Sequence, residues 1–140
     1  MNISEFKDVV NNNIVFIINP VSDNDISIEE HRIESTKVIA SQLMSNGLFV
    51  YSPVAFTNSI PYDFTWEYLL ENSLRMMELT AEYILLLKMP GWKNSNGIQV
   101  ELKNADKLNI PVYSMSFANF PNGWTNVAFN EIGYDIQKGL

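Results

Sequence analysis

The sequence predicts an α/β fold, a flavodoxin-like or Rossmann-like doubly wound parallel sheet of four or five strands. Three observations carry that expectation. Ile14–Ile18 is a continuous apolar run and the strand Tyr83–Met89 opens on another, Tyr83–Leu87; neither alternates, the pattern of strands buried on both faces. Strand-like and amphipathic helical segments alternate along the chain, which calls for right-handed βαβ crossovers. The segments end on turn-forming pairs (Asn19-Pro20, Asn46-Gly47, Ser52-Pro53, Pro90-Gly91), so the connections are short.

Taken in order, Met1 to Asn13 form a polar extension with a short amphipathic stretch at Phe6, Val9 and Val10, either a docked helical turn or an arm. Ile14–Ile18 is the first strand. After polar Ser22–Ser27, the residues Ile33, Thr36, Ala40, Leu43 and Met44 share one helical face, and Gly47 suits the left-handed position after the helix end. Leu48–Tyr51 reads as the second strand and Ala55–Asp63 as a loop. Trp66, Leu70, Leu74 and Met77 recur at helical spacing within Phe64–Thr80. Tyr83–Met89 is the third strand, Trp92–Gly97 a polar loop, Ile98–Leu108 a helix and Ile110–Met115 the fourth strand. The expected strand order is 2-1-3-4. The tail from residue 116 to 140 holds one further candidate strand near Asn126–Phe129.

Composition narrows the function. A chain of 140 residues fits one domain, and 46% apolar against 18% charged residues suits a packed core. The formal charge of −7 disfavours a nucleic-acid partner, because no basic excess exists to replace phosphate counterions. Cysteine is absent and His31 is the single histidine, which removes thiolate chemistry, disulfides and multi-histidine metal sites. The longest apolar run is too short to span a bilayer, so no membrane partner is expected and a cytoplasmic location is the default.

In a doubly wound sheet, ligands bind beyond the carboxyl ends of the strands, where the strand order reverses. Asn19–Asp25 and Met89–Gly97 are therefore expected to frame the crevice. Gly97 permits close backbone approach, and Asn94, Ser95 or Asn96 suits a helix cap whose free N–H groups attract an anion. Ile98, Leu102, Ala105 and Leu108 define the apolar stripe of the following helix, and Glu101 falls inside that arc. Two readings of Glu101 stand at this point: a desolvated functional carboxylate, or an acid placed early in a helix with its head in water. Trp92 either stacks on a ligand or plugs the core. His31 and Arg32 are either solvated or close to a phosphate, and Asp63 most simply caps the helix that holds Trp66.

These residues resemble the nucleoside 2-deoxyribosyltransferase-like superfamily, including its short bacterial and phage branch and its nucleotide N-glycosidases. Phe16-Ile17-Ile18-Asn19-Pro20 is similar to the opening strand that ends Y-L-A-G-P. Gly47 through Pro53 fits G-x-x-V-x-S-P, and Pro61, Asp63 and Trp66 fit P-x-D…W. Gly91-Trp92, Ser95, Gly97, Glu101 and Ala105 fit G-W-x-x-S-x-G-x-x-x-E-x-x-x-A. The family's first-strand tyrosine is replaced by Phe16, and its aspartate before the third strand by Glu82.

The resemblance implies a nucleoside or nucleoside 5′-monophosphate N-glycosidase or deoxyribosyltransferase, with Glu101 attacking C1′ of the sugar. It places Asn19, Pro20, Ser52, Asp63, Trp92, Asn94, Ser95 and Gly97 around the substrate. Family transferases carry an aspartate at the position of Ser95, and a serine there resembles the branch in which it contacts the 5′-phosphate. The implied chemistry uses no metal and no organic cofactor. The implied assembly is a homodimer or higher homo-oligomer, for which Leu69 and Met76 offer apolar surface. The alternative expectation is a non-catalytic nucleotide-binding module, a sensor or sponge on the same fold.

Overall fold

The computed structural model describes residues 1–117 and 132–135. Five strands form one mixed sheet in the order β2-β1-β3-β4-β5: β1 (Ile14–Ile18), β2 (Phe49–Tyr51), β3 (Tyr83–Lys88), β4 (Val112–Ser116) and β5 (Gly133–Asp135). The first four run parallel and β5 pairs antiparallel with β4. The expected 2-1-3-4 order is thus present with an antiparallel fifth strand added at the edge. This is the α/β, Rossmann-like architecture that the apolar runs predict.

The pleat sends alternate side chains of the central strands to opposite faces. Val15, Ile17, Leu85 and Leu87 join one buried cluster with Ile39 and Leu43. Those last two come from α2 (Ile26–Ser45), which covers that face together with α1 (Ile3–Val10). Phe16, Ile18, Ile84 and Leu86 enter the other cluster with Met77, Ile98 and Leu102. That second face is covered by α4 (Trp66–Thr80) and α5 (Asn96–Lys107). Helices on both faces explain why the strand sequences carry no polar alternation.

The N-terminal stretch is a docked helix. Asn2 and Glu5 form a reciprocal capping box, with Glu5 N donating to Asn2 Oδ1 at 2.8 Å and Asn2 N donating to Glu5 Oε1 at 3.2 Å. Ile3, Phe6 and Val10 are buried, whereas Val9 faces outward.

Several boundaries differ from those expected. Part of the Ala55–Asp63 loop is helical: Ser52 caps a short α3 (Pro53–Thr57), accepting from Ala55 N at 3.1 Å, and Pro53 supplies the fixed φ of a first helical residue. Asp63 does not cap α4, because Thr65 does so, its Oγ1 accepting from Tyr68 N at 3.2 Å. Met44 is exposed rather than in the core, and Leu108 is the exposed C-cap of α5 rather than part of its buried stripe. The third strand ends at Lys88, and the Trp92–Gly97 loop holds a 3-10 turn over Trp92–Asn94 before α5 begins at Asn96. The fourth strand begins at Val112, since Pro111 removes a backbone donor. The candidate strand near Asn126–Phe129 lies outside the described residues. Among the described residues no helix is long and apolar enough to cross a membrane.

Candidate functional site

β1 has β2 on one side and β3 on the other, and the chain leaves β1 and β3 toward opposite faces of the sheet. The loops after these two strands therefore part, and a cleft of about 710 Å³ opens between them. That volume lies within the roughly 300–1,000 Å³ usual for small-ligand sites. Its walls come from residues 19–23 after β1, from α3, from the segment Tyr62–Trp66 with the inner face of α4, and from Gly91, residues 94–98 and Glu101.

The two strand-end loops are tied together by Arg32. Its Nη1 donates to the carbonyls of Ser22 (2.9 Å) and Val21 (3.3 Å), and its Nη2 donates to the carbonyl of Pro90 (2.8 Å). Asp23 approaches Nη2 at 3.7 Å. The guanidinium is buried rather than solvated and acts as a strut across the cleft floor, with its Nε lacking a partner. Gly91 makes room for it. The φ of Gly91 is +92°, and an added Cβ would sit 2.9 Å from Arg32 Nη2.

Glu101 lies on the floor of this cleft. Ile98, Glu101, Leu102 and Ala105 are the buried face of α5, so the carboxylate does sit within the apolar arc. Ser73 of α4 donates its hydroxyl to Glu101 Oε2 at 2.8 Å, and both residues are buried. Burial raises the Glu101 pKa from the ordinary 4.5 to about 7, while the hydrogen bond from Ser73 pulls it down. A carboxyl of this kind is roughly half ionised at neutral pH. It serves either as a poorly solvated, reactive carboxylate or as a neutral acid.

Ser95 is the N-cap of α5, its Oγ accepting from Ile98 N at 3.4 Å, which leaves the hydroxyl proton available to a ligand. Gly97 lies in the first turn of α5, where a Cβ would meet no protein atom within 4 Å. Packing therefore does not require glycine there, and the space it leaves opens on the cleft. Asn19 is buried at the end of β1, with Nδ2 donating to Pro20 O at 3.0 Å and Oδ1 lacking a partner.

Seven of the nine expected site residues line the same cleft: Asn19, Pro20, Asp63, Asn94, Ser95, Gly97 and Glu101. Ser52 and Trp92 are not among its lining residues. Ser52 is turned inward as the α3 cap. Trp92 packs against the second core cluster, with Lys88 Nζ 5.1 Å and Lys93 Nζ 5.7 Å from its ring centre. The aromatic wall comes instead from Tyr62, Phe64 and Trp66, all exposed. Ser73 is a site residue that sequence reasoning missed, and Arg32 is one whose bonds to the strand-end carbonyls it did not foresee. Ser73 had a readable signal, a serine between Leu69 and Met77 at i±4 on an apolar helix face. Among the described residues no cluster of three or more His, Asp or Glu side chains is placed to hold a metal ion.

Fold and cleft together define a Rossmann-like α/β protein with a cleft of about 710 Å³ at the switch point of its sheet. The chain belongs to the family described as Domain of unknown function (DUF4406), whose model matches residues 28–114. That match runs from the first turn of α2 to β4 and so includes Arg32, Ser73, Ser95 and Glu101. No curated protein matches the chain.

Proposed function

We propose that the protein is an N-glycosidase or deoxyribosyltransferase acting on a nucleoside or a nucleoside 5′-monophosphate. The observation that carries this reading is Glu101, a desolvated carboxyl on the cleft floor fixed by a single short hydrogen bond from Ser73. In the ionised form the carboxylate attacks C1′ of the sugar. The C1′–N bond breaks with its electron pair leaving on the base, and the base nitrogen is protonated by water or by an acid of the cleft rim. The resulting glycosyl ester is then opened at C1′ by water, or by the nitrogen of a second base, as in other carboxylate-mediated glycosyl transfers. Burial makes the carboxylate more reactive than one in water, and Ser73 limits how far its ionisation is suppressed.

The remaining groups have roles that suit such a substrate. Ser95 and the first-turn N–H groups at Gly97 bind a phosphate or a sugar hydroxyl. Tyr62, Phe64 and Trp66 flank the base. Resemblance to deoxyribosyltransferase-like sequences adds support through the G-W-x-x-S-x-G-x-x-x-E pattern. The test is to incubate the protein with nucleosides and their 5′-monophosphates and assay free base by chromatography. A protein that binds one of these tightly yet releases no base is instead a binding module.

A further inference from the structure

Three features of the cleft bear on the kind of base it receives. The first is the aromatic wall: Tyr62, Phe64 and Trp66 line the cleft and are 76%, 47% and 47% exposed, so their rings are free to take a ligand. The electron-rich face of such a ring attracts a cation as well as stacking on a base. The second is charge. Asp23, Glu29, Asp63 and Glu101 line the cleft against Arg32, and the described lining holds no lysine or histidine. Arg32 is buried, and its two Nη groups already serve three backbone carbonyls and face Asp23. Asp63 lies between Tyr62 and Phe64 in the chain, so carboxylate and aromatic rings share one wall.

The third feature is the proton needed by a departing base. A neutral base leaves readily only when an acid protonates it. Glu101 is the one buried carboxyl of the lining, and as the nucleophile it does not also serve as that acid. A base that is already a cation needs no proton, because it departs as the neutral molecule. A cation beside Glu101 also favours the carboxylate form that attacks.

We infer that the cleft is built for N-glycosides of a positively charged aromatic base, an N-alkylated purine or a pyridinium, held between the aromatic wall and the rim carboxylates. This rests on the proposed glycosidase reading. Glu101 forms the bond to C1′, and the electron pair of the C1′–N bond neutralises the base, which departs unprotonated. Water then opens the glycosyl ester, restoring the carboxylate and releasing one proton to solvent. Asn19 Oδ1 and Arg32 Nε, both buried without a partner, concern the sugar side instead: a hydroxyl that accepts from Nε–H and donates to Oδ1 satisfies both, whatever the charge on the base.

The test has two arms, both at pH 7. In the first, 1-methylnicotinamide, a permanent cation without a glycosidic bond, and uncharged nicotinamide are titrated into the wild-type protein at low salt and at 0.5 M NaCl. The cation should bind at least tenfold tighter at low salt, and the gap should shrink severalfold at high salt as the carboxylates are screened. Asp63→Asn, Glu29→Gln and Trp66→Leu should each narrow it. In the second arm, base release is followed from adenosine, from cationic 1-methyladenosine and from nicotinamide riboside, in ribo- and 2′-deoxyribo- forms. The cations should show at least tenfold higher kcat/KM. Equal binding of the two nicotinamides, or adenosine cleaved as efficiently as 1-methyladenosine, overturns the inference, and base release from any of these nucleosides leaves the glycosidase reading standing. Preferential cation binding with no base released overturns the glycosidase reading and leaves a site for cationic aromatic ligands. A panel in which nothing binds and nothing is released overturns both. The wild-type salt series decides the matter even where a substitution disturbs folding.

Discussion

Replacing Glu101 by glutamine should stabilise the fold, and should do so more at pH 8 than at pH 5. The carboxyl is buried, and its pKa rises from 4.5 to about 7 on folding. A group raised in this way holds its proton more tightly in the native state. The stability it contributes is present below pH 4.5 and is lost as pH climbs to about 7. At about 1.4 kcal/mol per pH unit, full ionisation costs the fold about 3 kcal/mol. Glutamine keeps the shape and still accepts from Ser73 through its amide oxygen, but carries no charge to desolvate. The variant should therefore exceed the wild type by about 1 kcal/mol at pH 5 and about 3 kcal/mol at pH 8. Urea unfolding followed by circular dichroism at the two pH values measures the difference directly. A gap that does not change with pH, or a variant less stable than the wild type at pH 8, would refute the claim that burial raises the pKa of this carboxyl.

Other substitutions separate positioning from packing. Ser73→Ala removes the hydroxyl that lowers the Glu101 pKa, so the acid limb of the pH–rate profile should move to higher pH; an unmoved limb counts against that role. Gly97→Ala should raise stability by about 0.5–1 kcal/mol, since the added methyl meets open space in a helix, while weakening nucleoside binding in a titration. Gly91→Ala should destabilise by about 1–3 kcal/mol in thermal unfolding, through its positive φ and the contact with Arg32. Arg32→Met leaves the carbonyls of Val21, Ser22 and Pro90 without their donor, and should cost on the order of 3 kcal/mol.

Periodicity made the scaffold legible. The β1 and β3 runs lie between two helical layers, so their residues, apart from Lys88 at the end of β3, are apolar on both faces and stand out without any partner sequence. The same projection put Glu101 on the buried face of α5, because Ile98, Leu102 and Ala105 fix that face within a few residues of it. Partnerships across the fold were not legible. Arg32 bonds to backbone carbonyls, which no side-chain pattern displays, and Ser73 meets Glu101 across a sequence separation of 28. Apolar character does not distinguish a cleft wall from the core, so the sequence left Trp92 between the two, and it packs against the second core cluster. Two local signals went unread: Asn2 and Glu5 spell a capping box for α1, and Ser52-Pro53 spells a cap with proline at the first helical position.

The central claim, that Glu101 attacks the sugar, is tested most directly by free-base release from the nucleoside panel at pH 8, wild type against Glu101→Gln. The account predicts release by the wild type and a loss of several orders of magnitude in the variant, which still binds the same nucleoside. Release that survives the substitution unchanged, or a wild-type protein that binds but never frees a base, would contradict it.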